Sequence, residues 1–139
     1  MIISVWKRLV FSPGVAELLV SLREQYRLVV ITNGPVFSQH PKLAAVNMVE
    51  WVDHIIVGGE EPEEKPAASI FQKALDLVGA APQEVIHIGD SLSSDIAGAN
   101  QMGITSVWVD ATSNGDFGDI TPSYTIRTFS ELPAVLAAL

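Results

Sequence analysis

Val85-Ile86-His87-Ile88-Gly89-Asp90-Ser91-Leu92-Ser93-Ser94-Asp95-Ile96-Ala97-Gly98-Ala99 is the stretch whose reading decides the fold. Val85 to Ile88, apolar but for His87, reads as a buried strand, and it ends at Gly89-Asp90. A helix follows, from about Ser94 to Met102, and Gly103 stops it. Asp90 on a strand tip and Asp95 at a helix start can face one another. Two carboxylates so placed suit Mg²⁺, which prefers hard oxygen ligands and retains several waters. The plainer reading makes Asp90 a turn residue and Asp95 a favourable charge for the helix dipole.

The same alternation extends in both directions. Upstream, Ser12-Pro13-Gly14 precedes Val15, Leu18, Leu19 and Leu22, which share one helical face with Ser12 as N-cap and Pro13 at the first helical position. Leu28 to Ile31 is a second buried strand, ending at Thr32-Asn33-Gly34. His54 to Val57 is a third, ending at Gly58-Gly59. An acidic loop and a helix from Pro66 come next, with Ile70, Phe71, Ala74, Leu77 and Val78 expected inward and Gly79 as its stop. Downstream, Thr105 to Val109 is a strand, 112–116 a loop by composition, and Tyr124 to Ile126 a last short strand. Ser130 is the expected cap of a final helix with Leu132, Val135, Leu136 and Leu139 on one face. Strands and helices alternating in this way predict an α/β fold, a three-layer sandwich with a mainly parallel sheet.

Bulk properties narrow the function classes. A chain of 139 residues, 48% hydrophobic and 17% charged, is expected to fold as one compact domain. Its formal net charge of −8, with no cluster of Lys or Arg to offset it, argues against nucleic acid and against an anionic membrane surface. No apolar run approaches the roughly 18 to 20 residues that span a bilayer. Lys7 and Arg8 interrupt the apolar start Met1 to Val5, so secretion is not expected, and the lack of cysteine removes disulfides and thiolate zinc sites. A cytoplasmic protein is the expectation.

In an open parallel sheet, ligands gather at the carboxyl ends of the strands. Thr32, Asn33, Asp90 and the loop before Lys65 converge there. Thr32 and Asn33 offer a hydroxyl, an amide and backbone N–H groups for the oxygens of a phosphoryl group, or form a plain Asn-Gly turn with Gly34. Lys65 follows Glu60, Glu61, Glu63 and Glu64. Its ammonium can neutralise a phosphate and a nearby carboxylate, or pair with those glutamates at the surface. His40, His54 and His87 lack ligand spacing, and His87 reads as a satisfied core residue. Trp6, Trp51 and Trp108 read as packing residues.

Taken together, Ile31-Thr32-Asn33-Gly34, Glu64-Lys65-Pro66 and Gly89-Asp90-Ser91 with Asp95-Ile96 resemble the haloacid dehalogenase (HAD) superfamily of phosphohydrolases. Within it, Val5-Trp6-Lys7, Val57-Gly58-Gly59-Glu60, Glu63-Glu64-Lys65-Pro66-Ala67 with Ser69-Ile70-Phe71, and Glu131-Leu132-Pro133 are similar to the N-acylneuraminate-9-phosphatase family across nearly the whole chain. The resemblance implies a Mg²⁺-dependent phosphomonoesterase acting on a small sugar phosphate in sialic acid synthesis. It implies that Thr32, Asn33 and Gly34 bind the phosphoryl group and that Lys65 stabilises nucleophile and phosphate as a catalytic residue. By the same resemblance Asp90 ligates the metal, and Asp95 supports or completes the metal shell.

The sequence departs from that pattern in one respect. The superfamily's Asp-x-Asp nucleophile motif belongs on the first strand, followed by a helical cap, yet no Asp-x-Asp precedes Thr32 and the first aspartate is Asp53. Losing the nucleophile removes the covalent route. The expectation is therefore a single partial HAD-like core, 1–139: the carboxy-terminal portion of such an enzyme, inactive alone. The competing reading is a non-catalytic phosphate- or Mg²⁺-binding or regulatory module that pairs with a relative or a second copy. The missing strand would leave a gap of two strand spacings, roughly 10 Å, between the strands ending at Thr32 and Asp90. Met1 to Val5 could fill it. Residues 1–11 are instead expected to be the end of a cap helix, since Ile2, Val5, Trp6 and Leu9 keep helical spacing.

Overall fold

Strand β2 (Arg27–Thr32) is buried from Leu28 through Thr32, and its side chains divide between two cores. Leu28 and Val30 enter one cluster and Val29 and Ile31 the other, as the two-residue period of a strand requires when both faces are covered. The computed structural model, which describes residues 2–6, 15–32, 52–58, 61–110 and 118–139, repeats this pattern across a six-stranded parallel sheet. Its remaining strands are β1 (Ile2–Trp6), β3 (His54–Val57), β4 (Val85–Gly89), β5 (Thr105–Val109) and β6 (Tyr124–Ile126), in the order β3-β2-β1-β4-β5-β6.

Helices α1 (Val15–Arg23) and α4 (Leu132–Ala138) cover one face, with Leu18, Leu22, Leu132, Val135 and Leu136 against Leu28, Val30, Ile86, Ile88 and Val107. Helices α2 (Ala68–Val78) and α3 (Ala97–Gln101) cover the other, with Ile70, Phe71, Ala74, Leu75, Val78 and Ala99 against Val29, Ile31, Ile56 and Val85. This is the α/β three-layer sandwich expected from the alternation. Among the described residues no helix is long and apolar enough to cross a membrane.

Three local expectations need correction. Leu77 is 42% exposed and Leu75 takes the inward place, because the face of α2 that meets the sheet is centred on Ile70, Phe71, Ala74 and Val78. Leu139 is likewise exposed. Ser130 caps nothing at the head of α4: it lies inside a 3₁₀ turn (Phe129–Glu131), and the Glu131 carboxylate takes the N–H groups of Arg127 and Thr128 at 2.6 and 2.9 Å. Gly79 does stop α2, in the left-handed region at φ 65°.

The largest correction concerns the beginning of the chain. Residues 2–6 are a strand and not the end of a cap helix. β1 lies between β2 and β4, with Ile3 opposite Leu28 and Ile86, and Val5 opposite Val30 and Ile88. The physical reason is non-local. Two strands facing each other across a gap leave two rows of backbone N–H and C=O groups unpaired, and a third strand satisfies both rows at once. A short apolar run whose spacing suits either element goes where the sheet needs it.

β1 also fixes where a ligand can sit. From β1 the chain moves outward to β2 and β3, then returns to the other side of β1 for β4. The order therefore reverses between β1 and β4, and the crevice outside their carboxyl ends is where such sheets bind ligands. If β1 is a central strand, the amides of Ser4 and Val5 are protected from hydrogen exchange about as strongly as those of Val30 and Ile88, the most stable class in the sheet. Exchange measured by NMR at pH 7 checks this; fast exchange at Ser4 and Val5 with slow exchange at Val30 contradicts it.

Candidate active site

The last residue of β4 must be glycine for the site to form. A Cβ at Gly89 would overlap the Asp95 carboxylate, which folds back over the strand end. Asp95 reaches that position through a π turn (Leu92–Ile96), where the Ser91 carbonyl accepts from the N–H groups of both Asp95 and Ile96 at 2.9 and 3.2 Å. The Ser91 hydroxyl caps the turn by accepting from the N–H of Ser94 at 3.2 Å. The wider turn swings Asp95 inward, and its side chain is fully enclosed.

Lys65 meets it there. The lysine stands in the loop between β3 and α2, its peptide bond to Pro66 is cis, and its side chain is also fully enclosed. Nζ donates to Asp95 Oδ1 at 2.6 Å and to the Ile31 carbonyl at 3.2 Å. One ammonium thus ties the end of β2 to the segment after β4. His87, in the middle of β4, places Nε2 2.9 Å from the same Asp95 Oδ1, and the N–H of Ser91 donates to Oδ2 at 3.3 Å.

Burial pushes the Lys65 ammonium below the usual lysine range, against the opposing pull of Asp95. Burial lowers His87 as well, which keeps its imidazole neutral at pH 7. For Asp95 burial acts upward, but the His87 hydrogen bond and the charge and hydrogen bond of Lys65 outweigh it and hold the carboxyl below the usual carboxylate range. At 2.6 Å, Lys65 and Asp95 form an enclosed ion pair. With Asp95 as acceptor, Nε2 of His87 carries the proton.

The expected site residues fall as follows. Thr32 is buried at the tip of β2, beside the Ile31 carbonyl that receives Lys65. Asp90 is partly exposed at the tip of β4, close enough for its charge to act on Lys65. Thr32, Lys65, Asp90 and Asp95 therefore share one end of the molecule. Asn33 and Gly34 lie outside the described residues. Both oxygens of Asp95 face inward, Oδ1 onto Lys65 and His87 and Oδ2 onto the N–H of Ser91, and its side chain is fully enclosed.

Other participants escaped the sequence reading. His87 is tied to Asp95, and its Nδ1 has no hydrogen-bond partner among the described residues. It is not the fully satisfied core residue expected. Trp108 packs, as expected, but its indole N–H also donates to the Asp90 carbonyl at 3.1 Å and holds that residue's backbone. A polar ring inside a run of Val and Ile was the available signal for His87; nothing local marked Trp108.

Breaking a buried ion pair by removing one partner strands the other charge, typically at about 3–5 kcal/mol, whereas replacing both with apolar groups can be neutral. Lys65→Met and Asp95→Leu should each lower unfolding stability by about that amount, and the double variant should recover at least half of the summed loss. Urea unfolding of the four proteins measures this. Additive losses would show that the two side chains do not depend on one another.

A haloacid dehalogenase-like hydrolase family model matches residues 2–103. The chain is 33% identical over 135 residues to N-acylneuraminate-9-phosphatase of Mus musculus, covering 96% of this chain and 54% of that protein. It is 38% identical over 97 residues to glyceraldehyde 3-phosphate phosphatase of Pyrococcus abyssi, covering 69% and 41%. Among solved structures, the magnesium-bound HAD-hydrolase YfnB of Bacillus subtilis superposes with a TM-score of 0.84 at 26% identity, covering 90% of this chain and 55% of that one. The chain spans about half the length of the curated relatives it matches. Fold, site geometry and these likenesses agree: the chain belongs to the haloacid dehalogenase-like hydrolase family.

Proposed function

We propose that the carboxyl end of this sheet is the phosphate- and cation-binding part of a phosphomonoesterase for a small sugar phosphate, N-acylneuraminate 9-phosphate by likeness to the Mus musculus phosphatase. The observation that carries this reading is the enclosed Lys65 ammonium, held between the Ile31 carbonyl and Asp95 at the end where Thr32 and Asp90 also stand. Keeping a charge out of water is expensive, and an anion-binding task explains why it is kept. Asp95 offsets part of that charge, and what reaches an incoming phosphoryl group is the field of the pair in a medium of low dielectric. Thr32 supplies the polar strand tip, and Asp95 fixes the lysine. Residues 1–139 act in this reading as one domain.

Mg²⁺ fits this end in part. Asp90 is a hard-oxygen ligand with partial exposure, and this ion binds through one or two carboxylates plus substrate phosphate while keeping several waters. Among the described residues no group of three or more His, Cys, Asp or Glu gathers to hold a metal. Bound at Asp90, the ion would draw negative charge off the phosphoryl oxygens.

β1 favours a second reading. Its sequence, Ile2-Ile3-Ser4-Val5-Trp6, places no carboxylate in the central slot between the tips of β2 and β4. A chain with this strand holds phosphate and Mg²⁺ without an attacking group, and so acts as a binding or regulatory module rather than an enzyme by itself.

Calorimetry of inorganic phosphate into the 139-residue chain, with and without Mg²⁺, tests the site. Phosphate binding strengthened by Mg²⁺ is expected, with the strengthening lost in Asp90→Asn. Release of phosphate from N-acylneuraminate 9-phosphate, followed in parallel, separates the two readings. Turnover by this chain would contradict the second reading; absence of phosphate binding would contradict both.

A further inference from the structure

We infer that His87 is a positioning residue for Lys65: through Nε2 it orients the Asp95 carboxylate so that Oδ1 holds the ammonium at the shared end of β2 and β4. The inference rests on the phosphate site proposed above and adds a residue to it.

The geometry is a chain of contacts in which each member leaves the next little freedom. Gly98 in α3 admits the Phe71 ring, which a Cβ there would overlap. Phe71 stands edge-on to His87, with ring centroids 5.0 Å apart and planes at 85°. His87 places Nε2 2.9 Å from Asp95 Oδ1, and Lys65 Nζ reaches that same oxygen at 2.6 Å. The Ser91 N–H holds the other oxygen. The carboxylate is thus fixed from both sides, and Lys65 takes its direction from it.

Packing alone does not account for this histidine. On its side of the sheet Val85 and Phe71 are apolar and buried, and a leucine would fill such a wall without burying a ring nitrogen that lacks a partner among the described residues. The bond to Asp95 accounts for the polar ring. It also explains why the proton must sit on Nε2, since a carboxylate accepts only.

Two variants separate positioning from packing. His87→Leu removes the donor; His87→Gln keeps an N–H at a similar reach. The readouts are the rate at which Lys65 is reductively methylated, followed by ¹³C NMR, and the affinity for inorganic phosphate with Mg²⁺. His87→Leu should raise Lys65 methylation and weaken phosphate binding by roughly tenfold each, the size of effect expected of a charge-assisted hydrogen bond. His87→Gln should restore both to within about threefold of the parent. Two-bond ¹H–¹⁵N spectra of the parent chain should show the Nε2–H tautomer. A parent with the proton on Nδ1, a Lys65 equally protected in His87→Leu, or a His87→Gln as altered as His87→Leu would each overturn the inference. If the methylation pattern is as expected and even the parent fails to bind phosphate, His87 keeps its role and the proposed function falls.

Discussion

The contact between Lys65 and Asp95 organises this protein's carboxyl end. At 2.6 Å, and enclosed on every side, it joins a loop that follows β3 to a turn that follows β4, and through the Ile31 carbonyl it reaches β2 as well. A buried pair of this kind adds little net stability, because desolvating two charges offsets most of their attraction. Its worth lies in geometry. It brings a cation, a strand-tip threonine and a partly exposed aspartate to one end of the sheet.

That place exists only because the sheet is continuous. β1 bridges β2 and β4, and its register sets their tips two strand spacings apart, roughly 10 Å, a span that one lysine crosses together with the Asp95 it grips. The strand that completes the sheet supplies backbone pairing to both neighbours at once.

Much of this was legible in the residues. The runs at Leu28 to Ile31, His54 to Val57, Val85 to Ile88 and Thr105 to Val109 each became a strand, because a parallel sheet covered on both faces writes itself as a short, largely hydrophobic run. Thr32 and Asp90 were legible as polar residues at strand tips, and Lys65 as a lysine at a helix entrance. What was not legible depends on contacts far along the chain. Whether Ile2 to Trp6 coils or extends is decided by the unpaired edges of β2 and β4, which no local spacing reveals. The direction of the Asp95 carboxylate depends on one extra residue in a turn, accommodated by a single Ser91 carbonyl. The place of His87 depends on Phe71 and Asp95, which lie in a different helix and beyond the next turn.

The most direct measurement is a crystal structure of the chain grown with Mg²⁺ and tungstate, whose anomalous signal locates a phosphate-like anion without ambiguity. The account predicts the anion over the ends of β2 and β4, within hydrogen-bonding reach of Thr32 and beside the Lys65 ammonium, with Asp95 still turned inward. Tungstate bound away from Lys65, or Lys65 turned out to solvent and parted from Asp95, would contradict it.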